Sequence, residues 1–109
     1  MVRRHTQVEE MVAHMAGEFL AREGGVKALI TVTHAEMTDD FKQATIYISV
    51  LPATHEDEAL KFAKRARTDM RDYIKKHSRL HPIPVVDFVI DFGEKNRQRI
   101  DDLTRTKPA

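Results

Sequence analysis

The sequence predicts an α+β domain, in the order α-β-β-α(kink)α-β, with a three-stranded sheet and helices on one face. Two observations carry this. Apolar residues recur at helical spacing near the start and in the middle of the chain, and elsewhere the period falls to two. Each strand-like stretch has one apolar and one largely polar face, so one side of the sheet should stay uncovered. With 109 residues there is room for one compact domain. Its expected extent is 1–92, followed by a short tail at 93–109 that is partly helical or frayed.

The first helix is expected from Thr6 to Glu23, with Val8, Met11, Val12, Met15, Phe19 and Leu20 on its apolar side. Gly17 interrupts this pattern at a cost of about 1 kcal/mol against alanine, which suggests close approach of another backbone. Gly24 and Gly25 end the helix. From Leu29 to Met37 β-branched residues dominate, with Ile30 and Val32 on one face and Thr31 and Thr33 on the other. Residues 38–43 form a turn, with Asp39 and Asp40 as caps and solvated charges. The strand from Ala44 to Leu51 sets Ile46, Ile48 and Val50 inward and Thr45, Tyr47 and Ser49 outward. So short a connection makes these two strands antiparallel neighbours. Tyr47 stands among Thr and Ser rather than other aromatics, so it is expected to be structural and not a base-stacking platform.

Pro52 closes the second strand, and Thr54 with Asp57 resembles a capping box. A helical stretch follows from about Glu56 to His77, long enough to be two helices joined at a kink. Leu60, Ala63, Met70, Tyr73 and Ile74 form its buried stripe. The sequence His81-Pro82-Ile83-Pro84 forbids helix and favours extended chain. Val85 to Asp91 is the third strand, with Val86, Phe88 and Ile90 inward and Asp87 outward. Beyond Gly93 only Ile100 and Leu103 offer apolar anchors.

Charge is unevenly distributed. Between Lys61 and His81 eight basic residues face two acidic ones, a net of +6, which leaves −5 for the rest of a chain whose formal net charge is +1. A positive helix on an acidic body is the footprint expected for contacts to nucleic-acid phosphates, although a solvated helix face would look the same. The residues expected to contact RNA are Lys61, Lys64, Arg65, Arg67, Arg71, Lys75, Lys76 and Arg79, with Arg3 and Arg4 at the start of the chain.

Catalytic and metal chemistry find little footing. The chain has no cysteine, which excludes disulfides, thiolate nucleophiles and Cys-based zinc sites and fits a reducing cytoplasm, the expected location. His77 and His81 are four apart, but Pro82 breaks the helix before both rings can face one ion. His55-Glu56-Asp57 lacks the second histidine of a zincin. Asp87 and Asp91 share an outward face with no nucleophile in view, and the only serines, Ser49 and Ser78, stand in no elbow motif. No enzyme activity, cofactor or metal is expected. The start of the chain is polar and amphipathic, so neither a signal peptide nor a membrane span is expected.

The element order matches the type II KH arrangement, a fold used for single-stranded RNA. Three stretches sharpen that likeness. They are Ile30–Thr33 with Met37–Ser49, then Arg79-Leu80-His81-Pro82-Ile83-Pro84-Val85-Val86-Asp87-Phe88-Val89-Ile90-Asp91, and finally Gln98-Arg99-Ile100-Asp101-Asp102-Leu103. In this order, over nearly the whole chain, they resemble the ribosome-binding factor A family. The resemblance implies a monomeric assembly factor that binds free small ribosomal subunits and their 16S rRNA, supporting late maturation and rRNA processing. That family carries an Ala-x-Gly kink between its two middle helices. The corresponding residues here are Ala66-Arg67-Thr68, without the glycine. A kink at this place is expected to come from Thr68 bonding back to a carbonyl one turn earlier. A different class of function, a protein–protein adaptor of the translation machinery, would instead use the polar sheet face or the acidic body.

Overall fold

The computed structural model describes residues 2–23 and 28–93, with side chains from His5 onward. The elements are α1 (Val2–Glu23), β1 (Leu29–Met37), β2 (Gln43–Leu51), a 3-10 turn (Ala53–His55), α2 (Glu56–Arg65), α3 (Arg67–His77) and β3 (Val85–Ile90). The expected tail lies outside the described residues. Strand order is β1-β2-β3, with β1 antiparallel to β2 and β2 parallel to β3. The helices pack on one face, so the expected α+β architecture holds.

The core is mostly aliphatic, with Phe19 and Phe88 as its buried aromatics. Val12, Met15, Ala16, Phe19 and Leu20 of α1 meet Ile46, Ile48 and Val50 of β2, Val86, Phe88 and Ile90 of β3, and Met70 and Ile74 of α3. Ala59, Ala63 and Ala66 are buried too, and their small side chains let the α2–α3 pair approach the sheet. Met11, expected inside, is 37% exposed. Gly17 marks no close approach, because a Cβ there would meet nothing within 4 Å.

In β1 the alternation slips. The pairing register shifts between Val32 and His34, a bulge that leaves Thr33 as the extra residue. Ile30 and Val32 pack partly against the core, but beyond the bulge the inward residues are Ala35 and Met37. His34 and Glu36 are thereby turned onto the outer face beside Tyr47. In the turn after β1, Asp40 accepts hydrogen bonds from the Thr38 hydroxyl (2.6 Å) and the Lys42 N–H (3.0 Å), holding its carboxyl below the usual carboxylate range. Phe41 closes this turn with a φ of 60°.

The Thr54–Asp57 capping box does not form. Thr54 lies within the 3-10 turn, its hydroxyl contacts the His55 ring, and His55, not Thr54, is the cap residue of α2. The middle helix breaks at Ala66, whose φ and ψ of −90° and 6° lie in the bridge region. Its N–H is shared between the carbonyls of Ala63 (3.1 Å) and Phe62 (3.2 Å), and its own carbonyl accepts the Met70 N–H at 2.9 Å. Thr68 is exposed, and its hydroxyl forms no back-bond of the expected kind. The side-chain bond at this break comes instead from Arg67, whose Nε donates to the Lys64 carbonyl at 2.9 Å.

Candidate nucleic-acid interface

The break at Ala66 divides the basic segment into two short helices whose charges follow their dipoles. Glu56, Asp57 and Glu58 occupy the first turn of α2, and Lys64 and Arg65 its last. In α3 the last turn carries Lys75, Lys76 and His77. Cations at helix C-termini are favourable in their own right, so part of this pattern is accounted for by helix stability alone.

The structure sorts the expected contact residues into two groups. Lys64 and Arg67 both reach Asp87 of β3, with Nζ and Nη1 each 3.5 Å from its Oδ1. Arg71 donates from Nε to the Pro84 carbonyl and from Nη2 to the Ile83 carbonyl, both at 3.1 Å. These three are engaged with the protein. Lys61, Arg65, Lys75, Lys76 and Arg79 are exposed, and among the described residues their side chains make no hydrogen bond or ion pair. The side chains of Arg3 and Arg4 lie outside the description. The five unengaged cations run from α2 along α3 to the loop before β3.

Sequence reasoning missed a groove between α1 and α3. It has a volume of about 470 Å³, and Arg22, Tyr73, Lys76 and His77 are among its lining residues. Tyr73 stacks on His77, with centroids 4.0 Å apart and planes at 23°, and the His77 Nδ1–H donates to the Tyr73 carbonyl at 2.9 Å. The Arg22 guanidinium lies 5.8 Å above the Tyr73 ring. The four-residue spacing of Tyr73 and His77 was the available signal.

On the outer face of the sheet the bulge builds a polar network. Thr33 donates to Asp91 Oδ2 at 2.6 Å, and the His34 Nδ1 lies 3.4 Å from the same oxygen. His34 stacks on Tyr47, with centroids 4.2 Å apart and planes at 8°. The Tyr47 hydroxyl donates to Glu36 at 3.1 Å. Burial, reinforced by Glu36 and by the charge of Asp91, pushes the Tyr47 phenol above its ordinary range. Tyr47 therefore faces outward as expected, but with a ring partner, which the sequence pattern had not supplied. Between α1 and β1 lies a second cleft of about 470 Å³, with Glu9, Glu10 and Glu36 on its walls.

Among the described residues, no group of three or more His, Cys, Asp or Glu side chains could hold a metal ion, and no helix is long and apolar enough to cross a membrane. What the arrangement offers chemically is a set of exposed cations on two short helices and the loop that follows them.

Comparison with known proteins gives a consistent likeness. The family model described as ribosome-binding factor A matches residues 3–104. Ribosome-binding factor A of Rhodopseudomonas palustris strain BisB5 is 31% identical over 109 residues, covering 94% of this chain and 79% of that protein. The protein of the same name from strain BisB18 is 32% identical, with 94% and 79% covered. The crystal structure of ribosome-binding factor A from Thermus thermophilus matches with a TM-score of 0.70 at 20% identity, over 79% of this chain and 94% of that one. A homology model of the Thermus thermophilus factor, fitted into a cryo-EM map of its complex with the 30S subunit, matches with a TM-score of 0.64 at 17% identity, over 73% and 87%. At these identities the two structures speak for the fold.

Proposed function

Because this chain belongs to the ribosome-binding factor A family, we propose that it binds the small ribosomal subunit and its 16S rRNA, supporting late maturation and rRNA processing. In this reading it is a cytoplasmic monomer that acts by binding and carries no catalytic step or cofactor. One observation carries the RNA contact: Lys61, Arg65, Lys75, Lys76 and Arg79 project from α2, α3 and the following loop without partners among the described residues. Lysine and arginine on such a surface neutralise phosphates, and the arginine planes can stack on unpaired bases.

The test is a salt titration of binding to small-subunit precursors and to single-stranded RNA. Five neutralised phosphates give a log–log slope of roughly −3.5 to −4.5. Tight binding to subunits with a flat salt dependence and no affinity for free RNA would favour the second reading, an adaptor that contacts ribosomal proteins. The cleft walled by Glu9, Glu10 and Glu36 supports that alternative, since it suits a basic protein segment.

A further inference from the structure

Asp87 occupies an unusual position for an acidic residue. It lies on β3, an edge strand of the sheet, directly opposite the break between α2 and α3. A single oxygen, Oδ1, gathers three donors: the Phe88 N–H at 2.9 Å, Lys64 Nζ at 3.5 Å and Arg67 Nη1 at 3.5 Å. Arg67 is itself fixed, because its Nε holds the Lys64 carbonyl at 2.9 Å, which aims the rest of the guanidinium at β3. Two cations and one backbone N–H around one anionic oxygen are a complete donor set for a phosphate oxygen.

The geometry points to a backbone-phosphate site made by Lys64, Arg67 and the Phe88 N–H, which the free protein keeps closed with the carboxylate of Asp87. This rests on the RNA-binding reading above and adds to it the place where a phosphate enters and the group it must displace. The three side chains are all accessible, with exposures of 41%, 49% and 45% for Lys64, Arg67 and Asp87. Ion pairs so exposed hold weakly. An RNA strand anchored on the neighbouring Lys61 and Arg65 brings its next phosphate at high local concentration, and release of its counterions favours the exchange. Asp87 thus sets a threshold: an isolated anion competes poorly for the site, and an anchored polyanion opens it.

Asp87→Asn tests this, since it removes the charge and keeps both size and an acceptor oxygen for Phe88. With unfolding midpoints matched to the parent, a short oligouridine should bind the variant roughly three- to tenfold more tightly. The salt slope should steepen by about 0.7–0.9 for each phosphate gained. Adding Lys64→Gln and Arg67→Gln to the variant should abolish the gain. A second readout does not depend on RNA: in a titration with inorganic pyrophosphate, the Phe88 amide resonance should move at lower concentration in Asp87→Asn than in the parent. A parent that binds RNA with the expected salt slope, beside a variant that binds no more tightly, overturns the site and leaves the RNA reading standing. A Phe88 resonance that stays fixed in both proteins also overturns it. If neither protein binds RNA, the RNA reading fails, and this site fails with it as an RNA contact.

Discussion

Arg71 fastens α3 to the segment that leads into β3: its Nε donates to the Pro84 carbonyl at 3.1 Å while its Nη2 takes the neighbouring Ile83 carbonyl at the same distance. A segment with Pro82 and Pro84 lacks two backbone donors, so helix or sheet ladders cannot hold it, and the guanidinium fork serves in their place. Arg71→Gln should therefore cost about 1–2 kcal/mol in urea unfolding. Arg71→Lys should recover little of it, because an ammonium cannot span both carbonyls. RNA affinity, measured where both proteins are folded, should stay close to the parent. A stability loss below about 0.5 kcal/mol would show that the clamp contributes nothing beyond an ordinary surface residue.

Lys61, Arg65 and Lys75 should behave in the opposite way. They have no partner among the described residues, so replacing all three with glutamine should shift stability by no more than about 0.5 kcal/mol per site. The same change should flatten the salt slope of RNA binding by roughly 2–3, one phosphate for each residue. An unaltered slope in the folded triple variant would remove these residues from the interface.

These two predictions mark where the sequence stops being informative. Arg71 and Lys75 stand four apart on one helix face, and nothing local separates them. What divides their roles is the Ile83–Pro84 backbone, twelve residues or more along the chain. The inward set of β2 and β3 was legible because period-two patterning needs only local burial. The bulge in β1 left a trace as well, since apolar parity changes from Ile30 and Val32 to Ala35 and Met37. Placing it still needs the pairing with β2. Asp87 could be read as outward, but the convergence of Lys64 and Arg67 on it depends on the helix break lying opposite that strand.

Ala66 gives a sharper test of the break itself. Its φ and ψ of −90° and 6° are open to any residue, and it is only 8% exposed. Glycine there should cost less than the roughly 1 kcal/mol of a true helix interior, because the helix is already interrupted. Ala66→Leu should instead cost about 1–3 kcal/mol by overpacking. Thr68→Gly, exposed in the first turn of α3, should fall nearer to the glycine result at Ala66 than to the leucine one. An Ala66→Gly cost well above the sum of a helix-interior glycine and one lost buried methyl, about 2 kcal/mol in thermal unfolding, would show that the segment behaves as one continuous helix.

Tyr47 supplies a prediction that separates structure from recognition. Its ring is stacked on His34 through one face and its hydroxyl is committed to Glu36, so the side chain is already engaged within the sheet. Tyr47→Ala should lower stability by about 1–2 kcal/mol through lost cross-strand packing, while leaving RNA affinity in place. The phenol also reports on the network by titration. Its folded value is raised, first by burial and then by the hydrogen bond to Glu36 and the charges of Glu36 and Asp91. The folded state therefore holds this proton more tightly than the unfolded chain does. The resulting stabilisation is fully present below the ordinary phenol value near 10 and disappears as pH rises through the raised folded value. Spectrophotometric titration of the two tyrosines should show a step above the ordinary phenol range that Tyr47→Phe removes. Glu36→Gln should bring that step part of the way back, because burial remains. A step that does not respond to Glu36→Gln would mean the carboxylate is not hydrogen-bonded to Tyr47, and the network on the outer face of the sheet would have to be redrawn.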